Sequence, residues 1–516
     1  MVKNSRSPLF ALFISYVPRL LFLCLIGAQL SCAQKIPQDK ESSRAIAASP
    51  DTLLAGYSQT YLADANGLSG FYPLDDGQEA LLARLALIQS AEDSIDLQYY
   101  IYRDDQTSSL MTWALYQAAE RDVRVRVLLD DMQTRDDSTL AALSSHPNIE
   151  LRLFNAFTQR TFRMMGFVGD FSRLNRRMHN KALVADGAFA ITGGRNIGNE
   201  YFAANDTVDF GDFDLLLLGP AVPDIARQFD LYWNSRPSTP IEHLVDNIHS
   251  PTQKQLTQWE KSLEDYFKNS AYINSLADLP LARQLRNQNL GIYLAEAEVV
   301  YDLPAKVYAQ DTNALLLHQI SAVLEQTKSD FLLISPYFVP TEGGAKALAQ
   351  AASEGINVTI ITNSLASNDV FAVHGWYAKY RQTLLEGGVK LYEVKIDPAF
   401  KKDRSWLGSS RTSLHAKTFI IDRHKIFVGS FNFDPRSAYI NTEMGVFLDT
   451  PEFVENIYQK MDKGLLKNTY RLELDNGEIV WNDDHTGRRY TSEPYAGFWS
   501  RLGAWFSGIL PIESQL

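Results

Sequence analysis

Met178-His179-Asn180-Lys181, followed by Asp186 and Gly193-Gly194-Arg195-Asn196, has a twin in Leu414-His415-Ala416-Lys417, Asp422 and Gly429-Ser430-Phe431-Asn432. Each copy reads H-x-K-x4-D-x6-G-[GS]-x-N, and every matched position, from His179/His415 to Asn196/Asn432, is displaced by the same 236 residues. A composite motif repeated in one register marks an internal duplication. Lys181–Ala185 and Lys417–Ile421 read as buried strands. Side chains two apart on a strand share a face, so the His and Lys of each copy point the same way. Gly187 and the Arg423-His424 pair then fall in turns, and Ala188–Thr192 and Lys425–Val428 return as second strands. The Gly-[Gly/Ser] pair and the Asn close each hairpin beside its His and Lys.

A phosphodiester between two such units meets two His, two Lys and two Asn. One imidazole can attack phosphorus while the other protonates the leaving oxygen. The Lys and Asn pairs can neutralise and hydrogen-bond the phosphoryl oxygens as charge builds there. This chemistry asks for no metal and no cofactor. The duplication sets His179 and His415 apart from His146, His243, His249, His318, His374 and His485, which lack a repeated context and read as structural. His424 reads as an exposed turn residue.

A chain of 516 residues is too long for one core, so two domains or two fused repeats are expected. With 45% hydrophobic and 21% charged residues, most of it can fold. The net charge of −12 argues against broad nucleic-acid binding, yet leaves room for a basic cleft and an anionic substrate. Residues 1–33 read as an export leader: Lys3, Arg6 and Arg19 precede the apolar run Leu20–Ala28, which is short for a spanning helix. Leu30-Ser31-Cys32 resembles a lipoprotein site, Ser31-Cys32-Ala33 offers ordinary signal cleavage, and an uncleaved anchor is the third possibility. The only cysteines, Cys24 and Cys32, lie in this leader, so the body has no disulfide and no cysteine nucleophile. Residues 34–66 read as a flexible tether.

The first repeat spans residues 67–235. Glu79–Gln89 has helical apolar spacing, Ser94–Tyr102 reads as a strand, Ser109–Arg121 as a helix and Val123–Leu129 as a strand. Asp330–Phe338, Gly344–Ser353 and Ile356–Thr362 repeat that order within 303–463. The expected fold is α/β, two similar domains, each a mostly parallel sheet flanked by helices. Tyr100 and Tyr337 take similar places and read as core. Residues 236–302 read as a connecting subdomain without chemistry, and 464–516 as a C-terminal extension.

Upstream of each motif, basic and apolar residues interleave: Arg160, Arg163, Arg173, Arg176 and Arg177 with Phe162, Met164, Met165, Phe167 and Val168; then Lys401, Lys402, Arg404 and Arg411 around Trp406-Leu407. That pattern suits a substrate with an anionic head and a greasy body at a membrane surface, or else the apolar residues pack inward. Phe498, Leu502, Trp505, Phe506 and Ile509 form an aromatic-rich helical face, which either meets a lipid interface or caps the core.

The doubled motif is the signature of the phospholipase D superfamily, and the chain resembles that family over most of its length. Gly70–Leu74, Asp170–His179, Gly193–Phe202 and Leu510–Glu513 look like the C type of bacterial cardiolipin synthases. The resemblance implies transfer of a phosphatidyl group from one phospholipid to the glycerol hydroxyl of another through a phosphohistidine, by a pseudo-twofold related pair of phospholipase D-like domains with one shared active site. The alternatives are a phospholipase D making phosphatidic acid and a nucleic-acid phosphodiesterase. The substrates implied are phosphatidylglycerol and, as a candidate donor, phosphatidylethanolamine at a membrane surface, with no nucleic acid. By the same resemblance His179, Lys181, Asp186, His415, Lys417 and Asp422 form the catalytic set, with His179 favoured as nucleophile. Asp186 and Asp422 match motif acids that are often structural. Asn196, Asn432 and Ser430 match phosphate-binding positions. Glu443 matches the acid that orients a catalytic His. Its first-copy counterpart is Asp212 or Asp214 in Gly211-Asp212-Phe213-Asp214, with Asp214 carried as the candidate.

Overall fold

Ser94–Tyr99 and Asp330–Ile334 are buried along their whole length, as strands covered on both faces are. The computed structural model describes residues 39–132, 136–202, 209–268, 280–287, 289–309, 313, 315–368, 370–396 and 412–516. Ser94–Tyr99 lies parallel to Arg124–Asp130, which lies parallel to Ile149–Phe154. On its other side come Ala182–Ala185, Phe189–Gly193, Asp214–Leu218 and Ser69–Leu74, each antiparallel to its neighbour. The second half repeats this order. Asp330–Ile334 is parallel to Asn357–Asn363 and that strand to Lys390–Val394. Thr418–Ile421, Lys425–Gly429, Met444–Asp449 and Tyr293–Tyr301 follow in antiparallel succession.

The halves join where Ser69–Leu74 pairs antiparallel with Tyr293–Tyr301, making one mixed sheet of 18 strands among the described residues. Tyr293–Tyr301 is therefore the second repeat's equivalent of Ser69–Leu74, although it falls in the stretch read from sequence as a connector. The helices Gln106–Ala119 and Thr341–Ser353 cross between the parallel strands, the first opened by a capping box of Asp105 and Ser108. One apolar cluster is built by both halves and includes Phe71, Val184, Leu217, Ile420, Val446 and Phe453. Within it Phe71 stacks on Tyr293 at 5.4 Å and meets the edge of Phe453 at 5.2 Å.

The reading of residues 34–66 as a flexible tether is also corrected. The described part of the tether, from residue 39, is packed on the first repeat and includes the helix Leu53–Tyr61. The reason is polar: buried Arg126 and Arg152 need acceptors. Ser43 Oγ accepts from Arg126 at 3.1 Å and from Trp233 Nε1 at 2.9 Å, and the Glu41 carbonyl accepts from Arg152 at 2.6 Å. The leader and the basic stretch 401–411 lie outside the described residues.

A further correction concerns Asp186 and Asp422. Each sits with positive φ at the tip of its hairpin (51° and 49°), at the end remote from the histidine. Asp186 accepts from the backbone N–H groups of Glu92, Asp93 and Ser94, and Asp422 from those of Lys328, Ser329 and Asp330. They pin hairpins and belong to no catalytic set, because the intervening strand holds them away from the imidazoles and backbone amides occupy their oxygens. Burial pushes the Asp422 carboxyl up, but the amides outweigh it and hold the group below its ordinary value. Its stabilising contribution is thus present above the ordinary carboxylate range and lost as pH falls through the folded value. Asp422→Ala is expected to cost about 1–3 kcal/mol in urea unfolding while leaving kcat of the folded fraction near wild type.

The C-terminal helix Phe498–Ile509 docks on Phe371–Ala378 through small residues. A Cβ on Gly375 would stand 2.1 Å from the Ala504 carbonyl oxygen, so only glycine permits this approach. That contact turns Phe498, Trp499, Trp505, Phe506 and Ile509 outward, with Trp499 78% exposed. Of the two readings of this helix, the structure shows an uncovered aromatic face.

Candidate active site

Each histidine-bearing segment is stitched to the other repeat. Thr442 N–H donates to the Arg177 carbonyl at 2.9 Å, and His179 N–H donates to the Thr442 carbonyl at 2.8 Å. In mirror fashion Thr412–Leu414 runs parallel to Asp209–Gly211, and His415 N–H donates to the Gly211 carbonyl at 2.7 Å. The residue after each accepting carbonyl is an acid. His179 Nδ1 lies 2.8 Å from Glu443 Oε2, and His415 Nδ1 lies 2.5 Å from Asp212 Oδ2. Both imidazoles thus take their acid from the opposite repeat.

Asp212, and not Asp214, is therefore the counterpart of Glu443. Asp214 already belongs to the sheet strand and binds Arg84 at 2.8 Å and Arg195 at 3.4 Å. Asp212 lies in the break before that strand, in space left by Gly194, where a Cβ would come within 2.1 Å of Asp212 Oδ1. The equivalent Ser430 donates to Glu443 Oε2 at 2.5 Å and accepts from Met444 N–H at 3.0 Å. Ser430 is thus a buried support for the acid, not a substrate contact. Ser437, which the sequence reading did not single out, donates to Glu443 Oε1 at 3.0 Å. The glycine and serine variants of the motif match acids of different length. Gly194→Ser should therefore displace Asp212, with a loss of about 1–3 kcal/mol in thermal or urea unfolding and a larger fall in kcat than in substrate affinity.

The two asparagines differ. Asn196 Oδ1 accepts from Ile101 N–H at 3.1 Å and its Nδ2 donates to Tyr201 Oη at 3.1 Å, so most of its capacity is spent on the fold. Asn432 Oδ1 is buried and reached by no donor among the described residues. Lys181 Nζ donates to the His179 carbonyl at 2.5 Å, and Lys417 Nζ donates to that of His415 while lying 3.1 Å from His415 Nδ1. Tyr100, read from sequence as core, sets its ring edge-on to His179 at 4.9 Å, and Tyr201 does the same to His415 at 5.3 Å. Alternation along a strand cannot reveal such contacts, because Tyr100 lies just past the strand end.

A buried ion pair supports the first acid. Asp302 Oδ2 accepts from Glu443 N–H at 2.8 Å and from Lys306 Nζ at 2.9 Å, and Lys306 also donates to the Ser437 carbonyl at 2.9 Å. No sequence signal marked these two residues.

Burial and four nearby basic groups make the centre electrically asymmetric. Burial, then Lys181, Lys417 and His415, hold His179 well below the ordinary imidazole value. Burial lowers Lys181 to about 7 and raises Glu443 to about 7. His415 is also lowered, by burial and then by Lys417, but Asp212 pulls the other way. Burial works to raise Asp212, yet His415, Lys417 and Arg195 hold it below its ordinary value. Both imidazoles are held down, His415 less strongly because Asp212 supports its charged form, so His415 is the better proton carrier of the two.

The family model described as cardiolipin synthase, PLD-like domain, matches residues 85–215 and 320–465, and the chain belongs to this family. Cardiolipin synthase C of Escherichia coli K12 is 39% identical over 459 residues, covering 87% of this chain and 96% of that protein. The major cardiolipin synthase ClsA of Bacillus subtilis 168 is 27% identical over 410 residues, 78% of this chain and 70% of that one. Among solved structures, phosphatidylserine synthase of Haemophilus influenzae Rd KW20 superposes with a TM-score of 0.54 at 14% identity, over 81% of this chain and 92% of its own. That likeness concerns the fold.

Proposed function

We propose that this protein is a phosphatidyltransferase that forms cardiolipin from two phospholipids by ping-pong covalent catalysis. The observation that carries the reading is the pair of imidazoles, each on an acid of the other repeat, in a chain so similar to a cardiolipin synthase over nearly its whole length. With Nδ1 of His179 on Glu443, its Nε2 attacks the phosphorus of phosphatidylglycerol. The P–O bond to the head group breaks, and His415 gives that oxygen its proton, releasing glycerol. The terminal glycerol hydroxyl of a second phosphatidylglycerol then loses its proton to His415 and attacks the phosphohistidine. Cardiolipin leaves and both imidazoles are restored. Lys181 and Lys417 offset the charge on the phosphoryl oxygens, and Asn432 Nδ2 can donate a hydrogen bond to one of them. Phosphatidylethanolamine serves as donor by the same steps, with ethanolamine leaving.

Purified protein with labelled phosphatidylglycerol, with and without phosphatidylethanolamine, tests this directly. Cardiolipin as product supports transfer, and a rise on adding the second lipid identifies the donor. Phosphatidic acid without cardiolipin would convert the reading to a hydrolase.

The working surface we infer is the membrane. Phe162, Met164, Met165, Val168 and Phe171 are exposed just before the His179 strand, while Arg160 and Arg163 are tied back to Asp137. The aromatic face of Phe498–Ile509 is a second apolar contact. No helix among the described residues is long and apolar enough to cross a membrane. Trp499→Ser with Trp505→Ser is expected to weaken sedimentation with phosphatidylglycerol vesicles by roughly tenfold or more, at unchanged thermal midpoint. Export to the periplasmic face of a bacterial envelope, by signal peptide or by lipid on Cys32, completes the proposal. Palmitate labelling lost in Cys32→Ser would identify the lipid anchor.

A further inference from the structure

Arg436 lies where the two repeats cross, and its side chain bridges three separate segments. Its Nη2 donates to Asn175 Oδ1 at 2.6 Å, and its Nη1 to the Asn175 carbonyl at 3.1 Å and to Asn441 Oδ1 at 3.3 Å. Its Nε donates to the Gln515 carbonyl at 2.9 Å. Gln515 Oε1 closes the triangle by accepting from Asn175 Nδ2 at 2.7 Å. The backbone takes part too: Asn441 N–H donates to the Arg436 carbonyl at 2.8 Å, and Arg436 N–H donates to the Leu516 carbonyl at 2.5 Å.

Two arms of this bracket lead to the chemistry, and the third reaches the exposed tail. Asn175 opens the segment Asn175–His179, whose Arg177 carbonyl holds Thr442 N–H. Asn441 opens Asn441–Glu443, which carries the acid on His179. Ser437, the next residue after Arg436, donates to the other oxygen of Glu443. The first repeat supplies the imidazole and the second its acid, so their separation depends on how firmly the two segments are tied. A planar guanidinium can grip both oxygens of Asn175 and still reach Asn441, which a lysine cannot do. On the outer side Glu513 accepts from Tyr380 Oη, which anchors the tail to the second repeat.

We propose that Arg436 is a positioning residue that clamps the segment bearing His179 to the segment bearing Glu443, with residues 513–515 as its brace. The tail follows directly on the exposed aromatic helix Phe498–Ile509, so that helix and the catalytic pair share one mechanical support.

The inference rests on the phosphatidyl-transfer reading, and its test separates the two. Full-length wild type, Arg436→Met, Arg436→Lys and Gln515→Ala are assayed on phosphatidylglycerol vesicles and on bis(4-nitrophenyl) phosphate, alongside thermal unfolding. Arg436→Met is expected to lower kcat roughly 10- to 100-fold on both substrates, with KM within about twofold, because a small misplacement of reacting groups is costly. Arg436→Lys should recover part of that loss. Gln515→Ala, at the exposed end, should show the same kcat-only pattern more weakly. Wild-type kcat in Arg436→Met would overturn the clamp. So would a loss confined to KM, or one that lysine does not recover and that tracks unfolding. If wild type turns over the nitrophenyl diester but no lipid, the transferase reading fails, and the diester kinetics still decide the clamp.

Discussion

His179→Ala is expected to abolish cardiolipin formation, with kcat down by roughly 10⁴- to 10⁶-fold, as when a nucleophile acting within a unit is removed. The size follows from what the imidazole does. Held neutral by burial and by Lys181 and Lys417, with Nδ1 on Glu443, it is the nitrogen of the pair suited to attack phosphorus. Without it no covalent intermediate forms, and the remaining cations can only bind the lipid. The measurement is transfer of label from phosphatidylglycerol to protein trapped in an alkaline denaturing quench, with the label released by later acid treatment. Wild type should carry an acid-labile phosphohistidine, and His179→Ala none.

His415→Ala should fail differently. As the proton donor and acceptor it contributes roughly 10²- to 10⁴-fold on natural lipid, whose leaving alkoxide needs a proton. With 4-nitrophenolate as leaving group that need disappears, so the first step should be largely restored. The second step still lacks its base, so label should accumulate on His179 in this variant. A release burst followed by a stalled steady state is the expected trace. Label retained in His179→Ala and absent from His415→Ala would reverse the assignment of the two histidines.

The contrast between the acids shows where sequence reading reached its limit. Glu443 was legible from its place after Asn441-Thr442. In the first copy the register slips, and Asp212 and Asp214 are two residues apart and chemically alike. Only the break between the strands Asp209–Gly211 and Asp214–Leu218, and the room left by Gly194, decide for Asp212. Ser430 was misread for a related reason. A hydroxyl in a phosphate-binding motif suggests a ligand, but here it is fully buried and supports a carboxylate.

By itself the sequence determined the duplication, the α/β class, the paired His and Lys, and the family. These are properties of residue type and spacing along one chain: period-two alternation builds the strands, and one repeated register identifies the motif. Only the tertiary structure decided that each histidine takes its acid from the opposite repeat, that Tyr293–Tyr301 welds the two halves into one sheet, and that Asp302, Lys306 and Arg436 stand behind Glu443. Those pairings join residues far apart in sequence. They depend on which buried donor meets which buried acceptor once the halves close, and no local pattern records that choice.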